Sequence, residues 1–107
     1  MDFYVYGLVD STTGKPFYIG KGTKSRWKVH VQRVRRGVST GNQHLDNKIK
    51  KLLSEHIEIQ HVKICENLTE DEAYELEEFI TQSIGLSNLC NVWEGGFGGR
   101  VPSDEVS

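Results

Sequence analysis

The chain is short of cysteine, and the two it has are badly placed for a metal or disulfide framework. Cys65 and Cys90 lie far apart in sequence and outside any Cys-x-x-Cys pair. In a reducing compartment they read as buried thiols rather than a disulfide or a zinc site. No apolar run is long enough to span a bilayer. The first residues, Met1-Asp2-Phe3-Tyr4-Val5-Tyr6, lack the basic and then apolar segments of a signal peptide. We therefore expect an intracellular protein, cytoplasmic or, in a eukaryote, nuclear. With 107 residues there is room for one domain with a real core and no second module.

Charge of one sign is missing from each half. Residues 21–52 hold the single carboxylate Asp46 against ten cations, a balance of +9. Residues 53–107 hold only Lys63 and Arg100 against twelve acids, a balance of -10. The overall net charge of -2 hides this segregation, which points to a polyanion-binding face on a soluble body. Two solvated faces of opposite sign would give the same count.

Residues 3–9, rich in aromatic and β-branched side chains, read as a strand. Residues 10–16 are turn material, and Phe17-Tyr18-Ile19 reads as a second strand pairing with the first as a hairpin. Gly20 and Gly22 break it. A helix is expected over 23–36, with Trp27, Val31, Val34 and Val38 as its apolar stripe and Gly37 at its end. After a loop at 38–42, residues 43–54 read as a helix with Leu45, Ile49, Leu52 and Leu53 on one face. Residues 57–65 alternate as a strand. Thr69 and Glu72 fit a capping box opening a helix that stops at Gly85. A last short strand is expected over 89–92. The order β-β-α-α-β-α-β implies an α+β sandwich: a small, mostly antiparallel sheet flanked by helices. The domain is expected over 1–96, with a polar tail over 97–107.

On the last helix, Ala73, Leu76, Ile80 and Ile84 define the sheet-facing side. At about 100° per residue, Glu77 falls about 40° from Ala73 and about 20° from Ile84, while Glu75 and Glu78 point away at about 200° and about 140°. A carboxylate on that side is costly unless it pairs with an arginine, snorkels to the edge or holds a metal. On the first helix Arg26, His30 and Arg33 share one face by their i, i+4, i+7 spacing. Arginine offers a donor fork suited to phosphate, and histidine exchanges protons near neutrality; a basic surface stripe would look the same. His44, His56 and His61 have no ligand-like spacing and read as structural or surface residues. Tyr6 and Tyr18 lie in neighbouring strands, where aromatics are usually core or cross-strand pairs. The following Gly20-Lys21-Gly22 turn could approach a phosphate.

Together these residues resemble the GIY-YIG nuclease superfamily. Tyr4-Val5-Tyr6 stands where the family has Gly-Ile-Tyr or variants, and Tyr18-Ile19-Gly20 is intact, with Lys21 next. Arg26 with His30 is similar to the helical arginine–histidine pair of some branches, Glu77 to the helical metal ligand, and Asn91 with Gly95-Gly96 to the late asparagine and glycine-rich close. Other branches place the arginine two residues later, where this chain has Lys28; the stripe through Trp27 and Val31 favours Arg26.

The resemblance implies a stand-alone catalytic domain, an endonuclease that hydrolyses DNA with Mg²⁺ or Mn²⁺. Glu77 would bind the metal, Arg26 would spread charge on the phosphoryl oxygens, and Tyr6 and Tyr18 would orient water and phosphate. Tyr6 is the implied general base, with His30 the competing assignment. Lys21, Arg33, Arg36, Lys48 and Lys51 would meet DNA phosphates, and Asn91 would orient the site or touch DNA. Specificity would come from residues 37–56, from a second subunit in a homodimer, or from an accessory partner. A DNA-binding module that does not cut, and a protein-interaction domain, are the alternatives.

Overall fold

The computed structural model describes residues 2–91 of the chain. Strands β1 (Phe3–Asp10) and β2 (Lys15–Gly22) form the expected hairpin, with Tyr6 opposite Gly20 and Leu8 opposite Tyr18. Its turn is held by Asp10, whose carboxylate accepts from the Thr12 amide at 2.8 Å, and by Gly14 at φ +71°. The third strand, β3 (Ile59–Leu68), pairs antiparallel with β1, giving the order β2-β1-β3. The helices are α1 (Val29–Arg35), α2 (Gln43–Ser54) and α3 (Glu70–Ile84). This is the α+β sandwich expected.

Several local expectations hold because their chemistry is local. Helix α2 opens on Asn42, whose side chain accepts from the Leu45 amide at 3.1 Å. Helix α3 opens on the Thr69–Glu72 capping box, both reciprocal bonds being present, and ends before Gly85 at φ +96°. Gly37, at φ +79°, lets the chain turn back so that the Val38 amide reaches the Arg33 carbonyl at the end of α1.

Four boundaries differ. Strand β2 spans Lys15–Gly22, so Gly20 and Gly22 do not break it after Ile19: they pair with Tyr6 and Tyr4 of β1. The single helix expected over 23–36 is a 3-10 turn, Arg26–Lys28, running into α1, and Lys24 is left-handed at φ +54°. The hydroxyl of Tyr4 pins the carbonyls of Thr23 and Lys24 there, which keeps those residues out of a helix. Strand β3 runs on to Leu68 although its alternation fades after Cys65. Two irregularities in its pairing with β1, on either side of Val5, break the period of two. Residues 89–91 form no strand, and Val92 lies outside the described residues, as do Gly95-Gly96 and the tail over 97–107.

The sheet separates two cores. Tyr4, Tyr6 and Leu8 of β1 pack with Val31 and Val34 of α1 and Leu45, Ile49 and Leu52 of α2. Val5 and Ile19 face the other way, onto Ala73, Leu76, Ile80 and Ile84 of α3. The charge segregation becomes a partial layering: α1 and α2 carry Arg33, Arg35, Lys48, Lys50 and Lys51, and α3 carries Glu70, Asp71, Glu72 and Glu75 exposed on the opposite side. Cys65 and Cys90 are free, half-buried thiols. Among the described residues, no helix is long and apolar enough to cross a membrane.

Candidate active site

The hairpin register sets Tyr6 and Tyr18 one cross-strand pair apart, with ring centroids 6.3 Å from each other. Gly20 makes this possible. A Cβ there would lie 2.7 Å from both the Tyr6 ring tip and its hydroxyl, and 3.0 Å from the Tyr18 ring. The intact Tyr18-Ile19-Gly20 motif thus supplies one tyrosine and the space into which the other fits. Helix α1 adds His30. Its Nε2 lies 2.8 Å from the Tyr6 hydroxyl, and its ring meets Tyr18 edge-on at 4.9 Å. Tyr6 and His30 are buried, and Tyr18 is half-buried.

Two charges act on this cluster, one from each layer. The Arg26 guanidinium favours the ionised form of both tyrosines, and the Glu77 carboxylate opposes it. Burial dominates: it pushes the Tyr6 hydroxyl far above its ordinary value, with Tyr18 and Glu77 adding to the rise against Arg26. Tyr18 is raised likewise, first by burial and then by Glu77; Arg26 and a hydrogen bond from Tyr6 pull it back. His30 falls to about 4, through burial first and then the positive charges of Arg26 and Arg33. At neutral pH the resting cluster is therefore two phenols and a neutral imidazole.

The imidazole proton can be assigned. Nδ1 of His30 is buried without a hydrogen-bond partner. An orphaned buried N–H is rarer and costlier than an orphaned acceptor, so the proton belongs on Nε2. His30 then donates to the Tyr6 oxygen, beside which Tyr18 packs.

The remaining candidates fall into distinct places. Arg26 is exposed at the start of the 3-10 turn, its stem against Gly22, while the Lys28 ammonium lies 5.5 Å from the centre of its neighbour Trp27's ring. Glu77 is half-buried on α3. Asn91 clasps β2 beside Tyr18: its Nδ2 donates to the Ile19 carbonyl at 2.6 Å, and its Oδ1 accepts from the Ile19 amide at 3.0 Å. With both ends of its amide on β2, it braces the strand. Lys21 lies towards α3, 3.9 Å from the Glu70 carboxylate and across the sheet from the tyrosines. Lys48 lies 3.9 Å from Asp10. Arg33, Arg36 and Lys51 are exposed on α1, at its end and on α2, with Arg33 Nε donating to the Ser39 carbonyl at 2.9 Å.

Sequence reasoning missed two residues. Tyr4 was counted only as the variant first position of a motif, yet its hydroxyl makes three hydrogen bonds to the segment that carries Arg26. Asp46 was counted only as the lone acid of the basic half. It is buried and receives the Ser39 and Thr40 hydroxyls, each at 2.6 Å, and the Thr40 amide at 2.9 Å. Burial pushes its carboxyl up, but these hydrogen bonds outweigh that and hold it below the usual carboxylate range. Its isolation among cations was the available signal.

The family model of the LEM-3-like GIY-YIG domain matches residues 13–104. The matched stretch holds Tyr18, Arg26, His30, Glu77 and Asn91; Tyr4-Val5-Tyr6 precedes it and is tied to it by the β1–β2 register. No curated protein and no solved structure matches the chain.

Proposed function

Because the chain belongs to the LEM-3-like GIY-YIG domain family, we propose that it is a divalent-metal-dependent endonuclease that hydrolyses DNA phosphodiester bonds. The observation that carries this reading is the meeting of Tyr6, Tyr18 and His30 in one cluster, Tyr6 hydrogen-bonded to His30 and Tyr18 edge-on to the same ring, on which the charges of Arg26 and Glu77 both act. A core tyrosine pair with no chemical task does not need a guanidinium and a carboxylate trained on it.

In this mechanism Arg26 binds the scissile phosphate and spreads the charge that builds on its oxygens. Tyr18 orients the phosphate beside it. Tyr6 first gives up its own hydroxyl proton to solvent and then, as tyrosinate, takes the proton of the attacking water; the His30 Nε2–H and Arg26 favour that state, while burial and Glu77 oppose it. His30 then acts through Tyr6 and not on the water. Asn91 keeps β2, and so Tyr18, in place.

Glu77 is the residue that would hold the metal. Among the described residues there is no group of three or more His, Cys, Asp or Glu side chains arranged to hold a metal ion. A single carboxylate suits a hard ion such as Mg²⁺ or Mn²⁺, which keeps several waters and takes phosphate oxygens from its substrate. It does not suit zinc, which takes three or four protein ligands. When bound, the ion would polarise the phosphate, stabilise the leaving 3′ oxygen and offset the carboxylate charge that adds to the effect of burial in keeping both tyrosines protonated.

The exposed cations of α1 and α2 fit the DNA backbone and carry little sequence information. With one site per chain, a double-strand break requires two copies or two successive nicks. Supercoiled plasmid incubated with the full chain tests the reading: nicking in Mg²⁺ that stops in EDTA is the expected result. Binding at low salt with no Mg²⁺-dependent nick would make the chain a DNA-binding module. No binding at low salt would leave a protein-interaction domain.

A further inference from the structure

Arg26 sits on a short, irregular segment whose own backbone bonds run from the Arg26 amide to the Thr23 carbonyl at 3.1 Å and from the Lys28 amide to the Ser25 carbonyl at 3.0 Å, leaving the Trp27 amide between them without a backbone partner. Its 3-10 turn has Ser25 at the N-cap position, and Ser25 makes no side-chain capping bond. The turn spans only three residues before α1 begins. Such an opening leaves amides unsatisfied and frays. Just ahead of it, Lys24 holds a left-handed backbone at φ +54°, a conformation that a lysine keeps only when its surroundings impose it.

The missing cap comes from β1. The Tyr4 hydroxyl accepts from the Trp27 amide at 3.0 Å and donates its single proton to the Lys24 carbonyl at 2.8 Å, with the Thr23 carbonyl sharing it at 3.2 Å. Tyr4 is itself fixed: it is 4% exposed, packs edge-on against Tyr6 at 5.9 Å and against Trp27 at 6.4 Å, and lies under the Lys63 ammonium at 4.7 Å. On the other side of the segment, the Arg26 stem rests on Gly22, where a Cβ would come within 2.8 Å of it.

We propose that Tyr4 is the positioning residue for Arg26, its hydroxyl capping the Arg26–Lys28 turn from across the sheet and so aiming the guanidinium at the Tyr6–Tyr18 pair. This rests on the nuclease reading for its catalytic consequence but not for the cap itself. Strand β1 thereby sets both halves of the site: Tyr6 directly, and Arg26 through Tyr4 two residues earlier on the same face. A glycine at this position would leave the turn uncapped.

Tyr4→Phe keeps the ring and removes only the hydroxyl. Two measurements on the full chain test the proposal. Amide hydrogen exchange at Trp27 should quicken by roughly 10-fold or more in the variant, since a part-buried donor loses its acceptor. Single-turnover cleavage at saturating DNA should fall roughly 10-fold while DNA affinity stays within about 2-fold, and Tyr4→Phe should cost nothing further in an Arg26→Ala background. Unchanged exchange at Trp27, or losses that multiply in the double variant, would overturn the proposal. If the wild-type chain does not cut, the nuclease reading fails by itself. The proposal is then decided by Trp27 exchange and by the mobility of the Arg26 Nε–H in nuclear magnetic resonance relaxation, which should rise in Tyr4→Phe; no change in either overturns it.

Discussion

The hydroxyl of Tyr6 and Nε2 of His30 lie 2.8 Å apart inside the core, while Nδ1 of the same ring has no partner. The pairing makes His30 a donor to the tyrosine. Nitrogen-15 chemical shifts at pH 7 should show a neutral imidazole protonated at Nε2. A proton on Nδ1 would instead make His30 the acceptor for the Tyr6 hydroxyl and would revive it as the base.

The same burial makes stability depend on pH. His30 titrates at about 4 in the folded chain against 6.5 ordinarily, so between those values the unfolded chain binds more protons. The stabilisation from a neutral His30 is complete above about pH 6.5 and is lost as pH falls toward 4. Urea unfolding at pH 8 and pH 5 should differ by about 2 kcal/mol. His30→Gln, which does not titrate, should remove most of that difference. His61, also lowered by its burial, accounts for a remainder of the same sign.

Gly20→Ala should damage chemistry more than the fold. The new methyl group would meet the Tyr6 ring and hydroxyl at 2.7 Å. Overpacking of this kind costs about 1–3 kcal/mol, measurable as a lowered urea midpoint. Displacing Tyr6 should cut the cleavage rate by about 100-fold. A variant that cuts at the wild-type rate would mean that the position of Tyr6 does not matter.

Asp46 is expected to be a structural acid. Asp46→Asn leaves Ser39 and Thr40 facing an amide in place of a carboxylate, at a cost of about 1–3 kcal/mol in unfolding free energy, with DNA affinity little changed. Because its folded pKa is lowered, the stabilisation it provides is present above the ordinary carboxylate range and is lost as pH falls through that lowered value. The variant should lack this acid-sensitive step.

Much of this was legible in the sequence where the cause is local. The capping box at Thr69 and the α2 stripe through Leu45 and Ile49 follow from spacing along one helix. What escaped reading is held by partners distant in sequence. Tyr4 shapes residues 23–27 from about twenty positions away, so a helix was expected where the chain is pinned. Asn91 pairs with the backbone of Ile19 across 72 positions, a side chain doing what a short last strand was expected to do. Charge counting had a similar limit. Asp46 and Lys63, each the lone opposite charge in its half of the described chain, were counted as exceptions. One is buried under two hydroxyls, and the other lies 4.7 Å over both Tyr4 and Trp27.

The most direct test of the account follows the conversion of supercoiled to nicked plasmid by wild type and Glu77→Gln across a Mg²⁺ titration, with EDTA controls and DNA affinity measured in parallel. Wild type should cut only with the metal, and Glu77→Gln should lose at least ~100-fold in rate while binding DNA within about 2-fold of wild type. Cleavage that persists in EDTA, or a Glu77→Gln chain that cuts like wild type, would contradict a metal-dependent site built on Glu77 and the Tyr6–Tyr18–His30 cluster.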